Sequence, residues 1–390
     1  MCEFFAGIGL VGEGLRASGW KCIYANDNES KKQTLYESLN GPSPHFHLED
    51  VGNTSAILSR IPTPSFLATA SFPCIDLSLA GNYQGIQGAH SSTFFGFANV
   101  LKELGTLRPK LILLENVFGF IASHDGKDFA EVAQTLAKLG YWLDSFVLDA
   151  RYFVPQSRPR VFVVGVHESI LPSVPHGMKS QIIRSLYDEN ASSGDWQVID
   201  NRMRPVRLQK TMKSTELATG WQLFQLPKLP EPTLCLFDVI DLDDDQEWWS
   251  ALEVQRHQKM LSDLHRERLD AMISQGMPFA GTGFRRIRES QQRLEVRFDG
   301  LAGCLRTPKG GSAKQIIIAV INGQLRMRWM SPIEYARLQG IAQFPMTTGT
   351  RNQLLWGFGD AVCVPAIAWI DEHILSPIFS AANADRLKVP

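Results

Sequence analysis

The chain has 390 residues, 44% of them hydrophobic and 20% charged, with a formal net charge of −1. That balance describes a globular protein with a substantial core and excludes a disordered or uniformly cationic chain. The length exceeds one typical core and predicts two lobes. No run reads as a membrane span, and the apolar start, Met1 to Val11, is interrupted by Glu3 and lacks the basic n-region of a signal peptide; the expected location is the cytoplasm, away from membranes. The six cysteines, at 2, 22, 74, 235, 304 and 363, have no metal-ligand spacing, so free thiols and no metal site are expected.

Met1 to Phe5 reads as a strand, Gly7-Ile8-Gly9 as a tight turn and Val11 to Ser18 as a helix that Gly19 can stop. Strand, glycine turn and helix together resemble a nucleotide-cofactor loop, in which glycine lets backbone approach a ligand. The next strand, Lys21 to Asn26, runs into Asp27, Asn28 and Glu29. An acid about twenty residues after the turn is where a βαβ cofactor fold binds ribose hydroxyls. Asp27 can equally cap the helix that follows. A third strand end carries Glu49, Asp50 and Val51.

The apolar run Pro64 to Ala70 delivers Phe72-Pro73-Cys74 to the rim of the sheet, where α/β folds place ligands, although a free cysteine is commonly a small core residue. A polar, Gly-rich loop, 81–93, leads to a helix from about Phe94 to Thr106. Strand Lys110 to Leu114 ends in Glu115-Asn116-Val117, where the acid is either a surface residue or a buried group whose charged form burial disfavours. A helix, Asp128 to Leu139, precedes paired strands Tyr141 to Leu148 and Arg160 to Val166. Between the strands lies Gln156-Ser157-Arg158-Pro159-Arg160, whose two arginines point the same way if extended.

After His167 the βα alternation stops. Residues 1–167 are expected as a catalytic, cofactor-binding domain, 168–330 as an irregular β-rich lobe with one helix, Gln246 to Gln275, and 331–390 as a return to the first domain. Ser331-Pro332-Ile333-Glu334 carries a capping box, and a last helix is expected from Asp360 to Ile374. Arg202, Arg204, Arg207, Lys210 and Lys213 form one basic cluster; Arg285, Arg286, Arg288 and Arg306 belong to a second. Each is either a solvated face or a set of phosphate contacts.

These stretches, in their order, resemble the cytosine-5 DNA methyltransferases. Phe4-Phe5-Ala6-Gly7-Ile8-Gly9 is similar to the family's S-adenosyl-L-methionine loop, Phe72-Pro73-Cys74 to its nucleophile motif, Glu115-Asn116-Val117 to its Glu-Asn-Val motif and Gln156 to Arg160 to its Gln-x-Arg-x-Arg motif. Arg306-Thr307 with Gly310-Gly311, Ala336 to Gly340 and Gly359 to Val362 resemble the closing motifs.

The resemblance implies a Rossmann-like α/β methyltransferase sheet with a smaller target-recognition domain. It also implies methylation of carbon 5 of a cytosine flipped out of double-stranded DNA. Cys74 would add to carbon 6, Glu115 would meet ring nitrogen 3, and Arg160 would hold the base and orient Glu115. Ser78, Arg158 and the 81–93 loop would grip the extruded nucleotide. Phe5, Ala6, Gly7, Ile8, Gly9, Asp27, Asn28, Asp50, Val51, Pro73, Asp360, Ala361 and Val362 would bind S-adenosyl-L-methionine. A monomer is implied, either with a cognate restriction endonuclease as partner or as an orphan or phage-borne enzyme; a silent DNA-binding protein, an RNA methyltransferase and a dinucleotide-dependent oxidoreductase are the alternatives. Ile75, Asp360 and Ala361 depart from the family's commonest residues, and Met1 stands at the first strand without the usual lead-in, which points to a start chosen too late or a natural minimum.

Overall fold

A computed structural model describes residues 1–73, 93–173, 179–183, 202–243, 245–276, 278–288, 290–307 and 313–386. The expectations for Cys74, Ile75, Ser78, nearly all of the 81–93 loop, and Gly310 and Gly311 therefore lie outside the described residues. Among the described residues the largest sheet has nine strands. From edge to edge they are β3 (Phe46–Leu48), β2 (Tyr24–Asp27), β1 (Cys2–Phe4), β4 (Leu67–Ala70), β5 (Leu111–Val117), β7 (Pro159–His167), β6 (Tyr141–Asp149), β9 (Trp221–Phe224) and β8 (Lys179–Ile183). Strands β1 to β5 pair in parallel, and β7 is antiparallel to both β5 and β6.

Helices α1 (Leu10–Arg16), α2 (Ser30–Asn40), α3 (Thr54–Leu58), α4 (Thr93–Glu103), α5 (Lys127–Lys138) and α6 (Val206–Ser214) accompany this sheet. Its parallel strands β1, β2, β4 and β5 are buried along their whole length or nearly so, as strands covered on both faces must be, whereas edge strand β3 buries only Phe46. The chain winds outwards from β1 through β2 to β3 and then restarts at β4 on the other side of β1. This reversal between β1 and β4 opens the crevice in which such sheets bind ligands.

A second, antiparallel sheet has the order β11 (Gln291–Arg297), β10 (Phe279–Arg288), β12 (Gln315–Ile321), β13 (Gln324–Trp329). One face is closed by α7 (Ala251–Gln258) and α8 (Asp263–Gln275), with Val254, Leu269, Leu294, Ile316, Ile318 and Met327 in a common core. The single helix expected over 246–275 is thus two. Ser250 and Ser262 each accept from a backbone N–H at the start of a new helix, and buried Leu261 fills the break.

The second lobe also begins later than residue 168. Strands β8 and β9 extend the large sheet, and Asp144 of β6 is buried against Arg204, with Arg204 Nη2 2.5 Å from Asp144 Oδ2 and Phe224 N donating at 2.9 Å. The basic cluster after Arg202 is therefore built onto the first layer.

Helices α9 (Pro332–Leu338), α10 (Arg351–Asp360), α11 (Val364–Ile370) and α12 (Ser376–Arg386) return to α1. The expected helix from Asp360 is interrupted: Ala361 to Cys363 separate α10 from α11, because Pro365 suits the first turn of a helix and breaks its interior. By length and composition Arg351–Ala384 is apolar enough to cross a membrane, a test that the core helix of a globular protein also passes. Its Leu354, Phe358, Ile367, Ile370 and Ile374 instead share the core with Ile8, Leu10 and Leu15.

Removing one member of a buried ion pair leaves the other charged and unpaired, at a cost of about 3–5 kcal/mol. Arg204→Met is accordingly expected to lower unfolding free energy in urea by that order, with Asp144→Leu/Arg204→Met recovering most of the loss. A double variant no more stable than the single one contradicts this.

Candidate active site

The turn after β1 is shaped by backbone. Phe5 and Gly7 have φ of 54° and 58°, and Gly9, at 84°, sits where a Cβ would come within 2.8 Å of the Tyr36 ring. A side chain at 9 would push α2 away, whereas among the described residues a Cβ on Gly7 would meet only the Phe5 carbonyl oxygen, at 4.0 Å. The turn thus packs tightly on one side and is open on the other.

Asp27, buried at the end of β2, accepts from Gly7 N through Oδ2 and from Glu29 N through Oδ1, both at 3.0 Å. Asn28 beside it is exposed. Lys32 Nζ stands 3.7 Å from Asp27 and 3.6 Å from Asp360, so a residue not singled out in the sequence joins the second strand end to the last motif. Desolvation works against the Lys32 charge, but Asp27, Asp360 and Glu29 outweigh it and hold its pKa above the ordinary lysine value. Asp50 is exposed and accepts from Gly52 N at 2.7 Å, while Val51 is buried under Gly96. Val362 is buried in the main core, and Ala361 lies beside it with its carbonyl accepting from Gln339 at 3.1 Å.

Glu3 also escaped the sequence reading. It is 1% exposed, lies behind the turn and accepts from Gly12 N at 3.3 Å. Burial raises its pKa to about 8 despite backbone hydrogen bonds from Gly12 and Val11.

Beyond the crevice, β4 leads through buried Phe72 to Pro73, with Asn116 Nδ2 donating to the Phe72 carbonyl at 3.2 Å. Asn116 and Glu115 lie within β5, which runs on to Val117. Val117 pairs with Arg160 and Glu115 with Phe162, so Glu115 and Arg160 are diagonal neighbours on one face. Arg160 Nε is 2.9 Å from Glu115 Oε1, and both side chains are largely buried.

Arg158 is a correction. Two per cent exposed, it does not face an extruded nucleotide; its Nη1 donates to Leu305 O at 2.8 Å and its Nη2 to Gly359 O at 3.1 Å and Ala361 O at 2.5 Å. Gln156 is buried likewise, accepting from Leu305 N at 3.1 Å and donating to Leu338 O at 2.6 Å. Gly359 permits this closure, since a Cβ there would lie 2.6 Å from the Arg306 backbone.

The basic residues divide. Arg202, Arg207, Lys210 and Lys213 are exposed, the last three on α6, whereas Arg204 is removed from any DNA surface by its pairing with Asp144. On β10 the alternation sends Arg285 to the face covered by α7 and α8, with its guanidinium carbon 4.9 Å from the Trp329 ring centroid, which corrects the expectation of a DNA contact. Arg286 and Arg288 lie on the opposite face, where Arg306 sits over Phe284. Arg293, not singled out in the sequence, is directly opposite Arg286. Among the described residues no group of three or more His, Cys, Asp or Glu side chains is arranged to hold a metal ion.

The family model for C-5 cytosine-specific DNA methylases matches residues 1–376. The chain belongs to that family. Among curated proteins it is similar to the Type II methyltransferase M.HhaI of Haemophilus parahaemolyticus, 32% identical over 42% of this chain and 47% of that protein. It is also similar to the Type II methyltransferase M.HaeII of Haemophilus aegyptius, 28% identical over 56% of this chain and 67% of that one. The chain spans about half the length of most of the curated relatives it matches. Among solved structures, the S. pombe Dnmt2 methyltransferase superposes with a TM-score of 0.58 at 16% identity, covering 97% of this chain and 98% of that one. This likeness shows the α/β methyltransferase fold.

A group whose pKa rises on folding stabilises at low pH and loses that contribution as pH rises. The Glu3 contribution is therefore present below the ordinary carboxylate value of 4.5 and lost on approaching about 8. Melting of Glu3→Gln across this window should fall less with pH than wild type; parallel profiles contradict a protonated Glu3.

Proposed function

We propose that the protein transfers a methyl group from S-adenosyl-L-methionine to carbon 5 of a cytosine flipped out of a specific double-stranded DNA sequence. The observation that carries this is the Glu115–Arg160 contact of 2.9 Å at the rim of the sheet. It stands on the strand next to the one that leads into Pro73 and Cys74.

The cytosine ring is too poor a nucleophile at carbon 5 until a thiolate adds to carbon 6. We assign that addition to Cys74 by its motif, and its elimination, after loss of the carbon-5 proton, restores the aromatic base. Glu115 is assigned to ring nitrogen 3, where charge accumulates during addition. Arg160 is held beside it and reaches the base carbonyl with a planar, multidentate donor. S-adenosyl-L-methionine, when bound, supplies the electrophilic methyl group.

The residues of the turn fit that cofactor. Among the described residues nothing crowds Gly7 on its open side, and Asp27 is held by two backbone N–H groups beside it, with lone pairs left for ribose hydroxyls. Asp50 and Val51 are assigned to the adenine, Phe5, Ala6, Ile8, Gly9 and Pro73 to the walls of the site, and Asp360 to Val362 to its closure. Lys32 keeps Asp27 and Asp360 together.

We assign the second lobe to target recognition. Its Arg286, Arg288 and Arg293 share a sheet face with the Arg306 segment, and Arg286 and Arg293 are like charges directly opposed. Such a pair is unfavourable alone and is neutralised by a phosphate. Arg202 and Arg207 extend the cationic surface on the first layer. The reading takes the protein to act in the cytoplasm as a monomer, either with a cognate restriction endonuclease as partner, as the Type II names of relatives suggest, or as an orphan enzyme, as a phage relative is named.

Incubation with tritiated S-adenosyl-L-methionine and mixed-sequence DNA should label the DNA. Cys74→Ala should abolish labelling while calorimetry shows cofactor binding retained. Retention of DNA without label by the wild type would favour a silent DNA-binding protein, and substantial turnover by Cys74→Ala would sink covalent catalysis by this residue.

A further inference from the structure

Cys304 stands where the chain leaving β11 runs beside the Gln156–Arg160 segment. This alignment is fixed by backbone, Ser157 N donating to Ala302 O at 2.9 Å and Ala302 N to Pro155 O at 2.7 Å. The Cys304 sulfur lies 3.5 Å from Arg158 Nη1 and 3.8 Å from Arg160 Nη2, and 3.4 Å from the Leu305 carbonyl oxygen. The side chain is half-buried, and Arg306 is the next cation along the chain. Arg158, by contrast, is buried, and its Nε has no partner among the described residues.

Contacts at each of its three nitrogens hold the guanidinium of Arg160. Nε meets Glu115 at 2.9 Å, Nη1 donates to Pro159 O at 2.9 Å, and Nη2 faces the Cys304 sulfur. The contact at Nη2 adds to those at Nε and Nη1 in restraining the planar group from rocking about that edge. Productive geometry in such a site tolerates only a fraction of an ångström, so this restraint bears on rate.

The other described cysteines have no comparable surroundings. Cys2 and Cys363 are buried in the core, burial pushes Cys22 up to about 12, and Cys235 is exposed. Burial would raise the Cys304 thiol too, but Arg160, Arg158 and Arg306 outweigh it and hold the pKa below the ordinary thiol value. Glu115, reached through Arg160, and Asp360, near Arg158, are the acids that face this cluster.

We propose that Cys304 is a positioning residue of the methyl-transfer site, whose sulfur accepts from Arg158 and Arg160 together and fixes the Arg160 guanidinium against Glu115. The proposal rests on the methyl-transfer reading of that pair. Sulfur is suited to the place because its large, polarisable lone pairs accept from two guanidinium groups at once. Alanine offers no acceptor, and serine offers a smaller neutral one.

Three variants of the full chain, Cys304→Ala, Cys304→Ser and Cys304→Asp, test it through kcat and KM for DNA, with melting temperatures to establish folding. The expected result is a loss of kcat of about tenfold or more in Cys304→Ala with little change in KM, and partial rescue by the anionic acceptor in Cys304→Asp. Wild-type kcat in Cys304→Ala, or an aspartate variant that folds and is no better than alanine, overturns it.

A second measurement needs neither the variants nor methyl transfer. Iodoacetamide alkylation, in which the thiolate displaces iodide to form a thioether, is followed at the Cys304 peptide by mass spectrometry as a function of pH. A midpoint below that of Cys235 supports the arginine contacts, and an equal or higher one overturns them. A wild type with the lowered midpoint but no methyl transfer would refute the function proposed for the site and uphold the contact.

Discussion

The guanidinium of Arg158 is the tie on which the arrangement depends. It donates to the carbonyls of Leu305, Gly359 and Ala361, joining the loop before β7, the segment leaving the second sheet and the hinge between α10 and α11. A buried cation is costly unless every carbonyl around it is in place, so the contact demands that all three stretches close together. Gln156 repeats the constraint with an uncharged amide, bonded to Leu305 and Leu338. Arg160 follows one residue after Pro159 and inherits a fixed backbone, which is what lets its side chain be aimed at Glu115.

The cofactor side is organised by a different kind of contact. Asp27 is held by amides of the Gly7 turn and of Glu29, so the carboxylate and the turn move as one unit. Lys32 then draws Asp360 towards Asp27 across a separation of 3.6–3.7 Å on each side. Because Asp360 ends the helix whose Gly359 carbonyl receives Arg158, the two halves of the site share a strut. Glu3, buried in β1, separately ties that strand to the first turn of α1 through Gly12 N.

What was legible in the sequence follows the range of the interactions involved. The strand, turn and helix at the N-terminus, the acid that ends β2 and the capping box at Ser331 are local, and the structure has each where the residue pattern indicated. The partners of Arg158 and Cys304 lie some 150–200 residues away in sequence, and no local pattern distinguishes an arginine bonded to carbonyls from one turned to a phosphate. Arg204 was misread for the same reason, its Asp144 being 60 residues distant. The later start of the second lobe was hidden because β9 is four residues long and joins β6 through a single register pair. Helix breaks at Ser262 and Pro365 had local signals, a cap and a first-turn proline, that a continuous amphipathic pattern obscured.

The central claim is that Glu115, aligned by Arg160, serves methylation of cytosine at carbon 5. Bisulfite sequencing of DNA from a host expressing the full chain measures this most directly, since 5-methylcytosine resists conversion. The account predicts protected cytosines within one recurring sequence for the wild type and their loss in a folded Glu115→Gln variant. Full conversion in the wild-type host, or unchanged protection with Glu115→Gln, would contradict it.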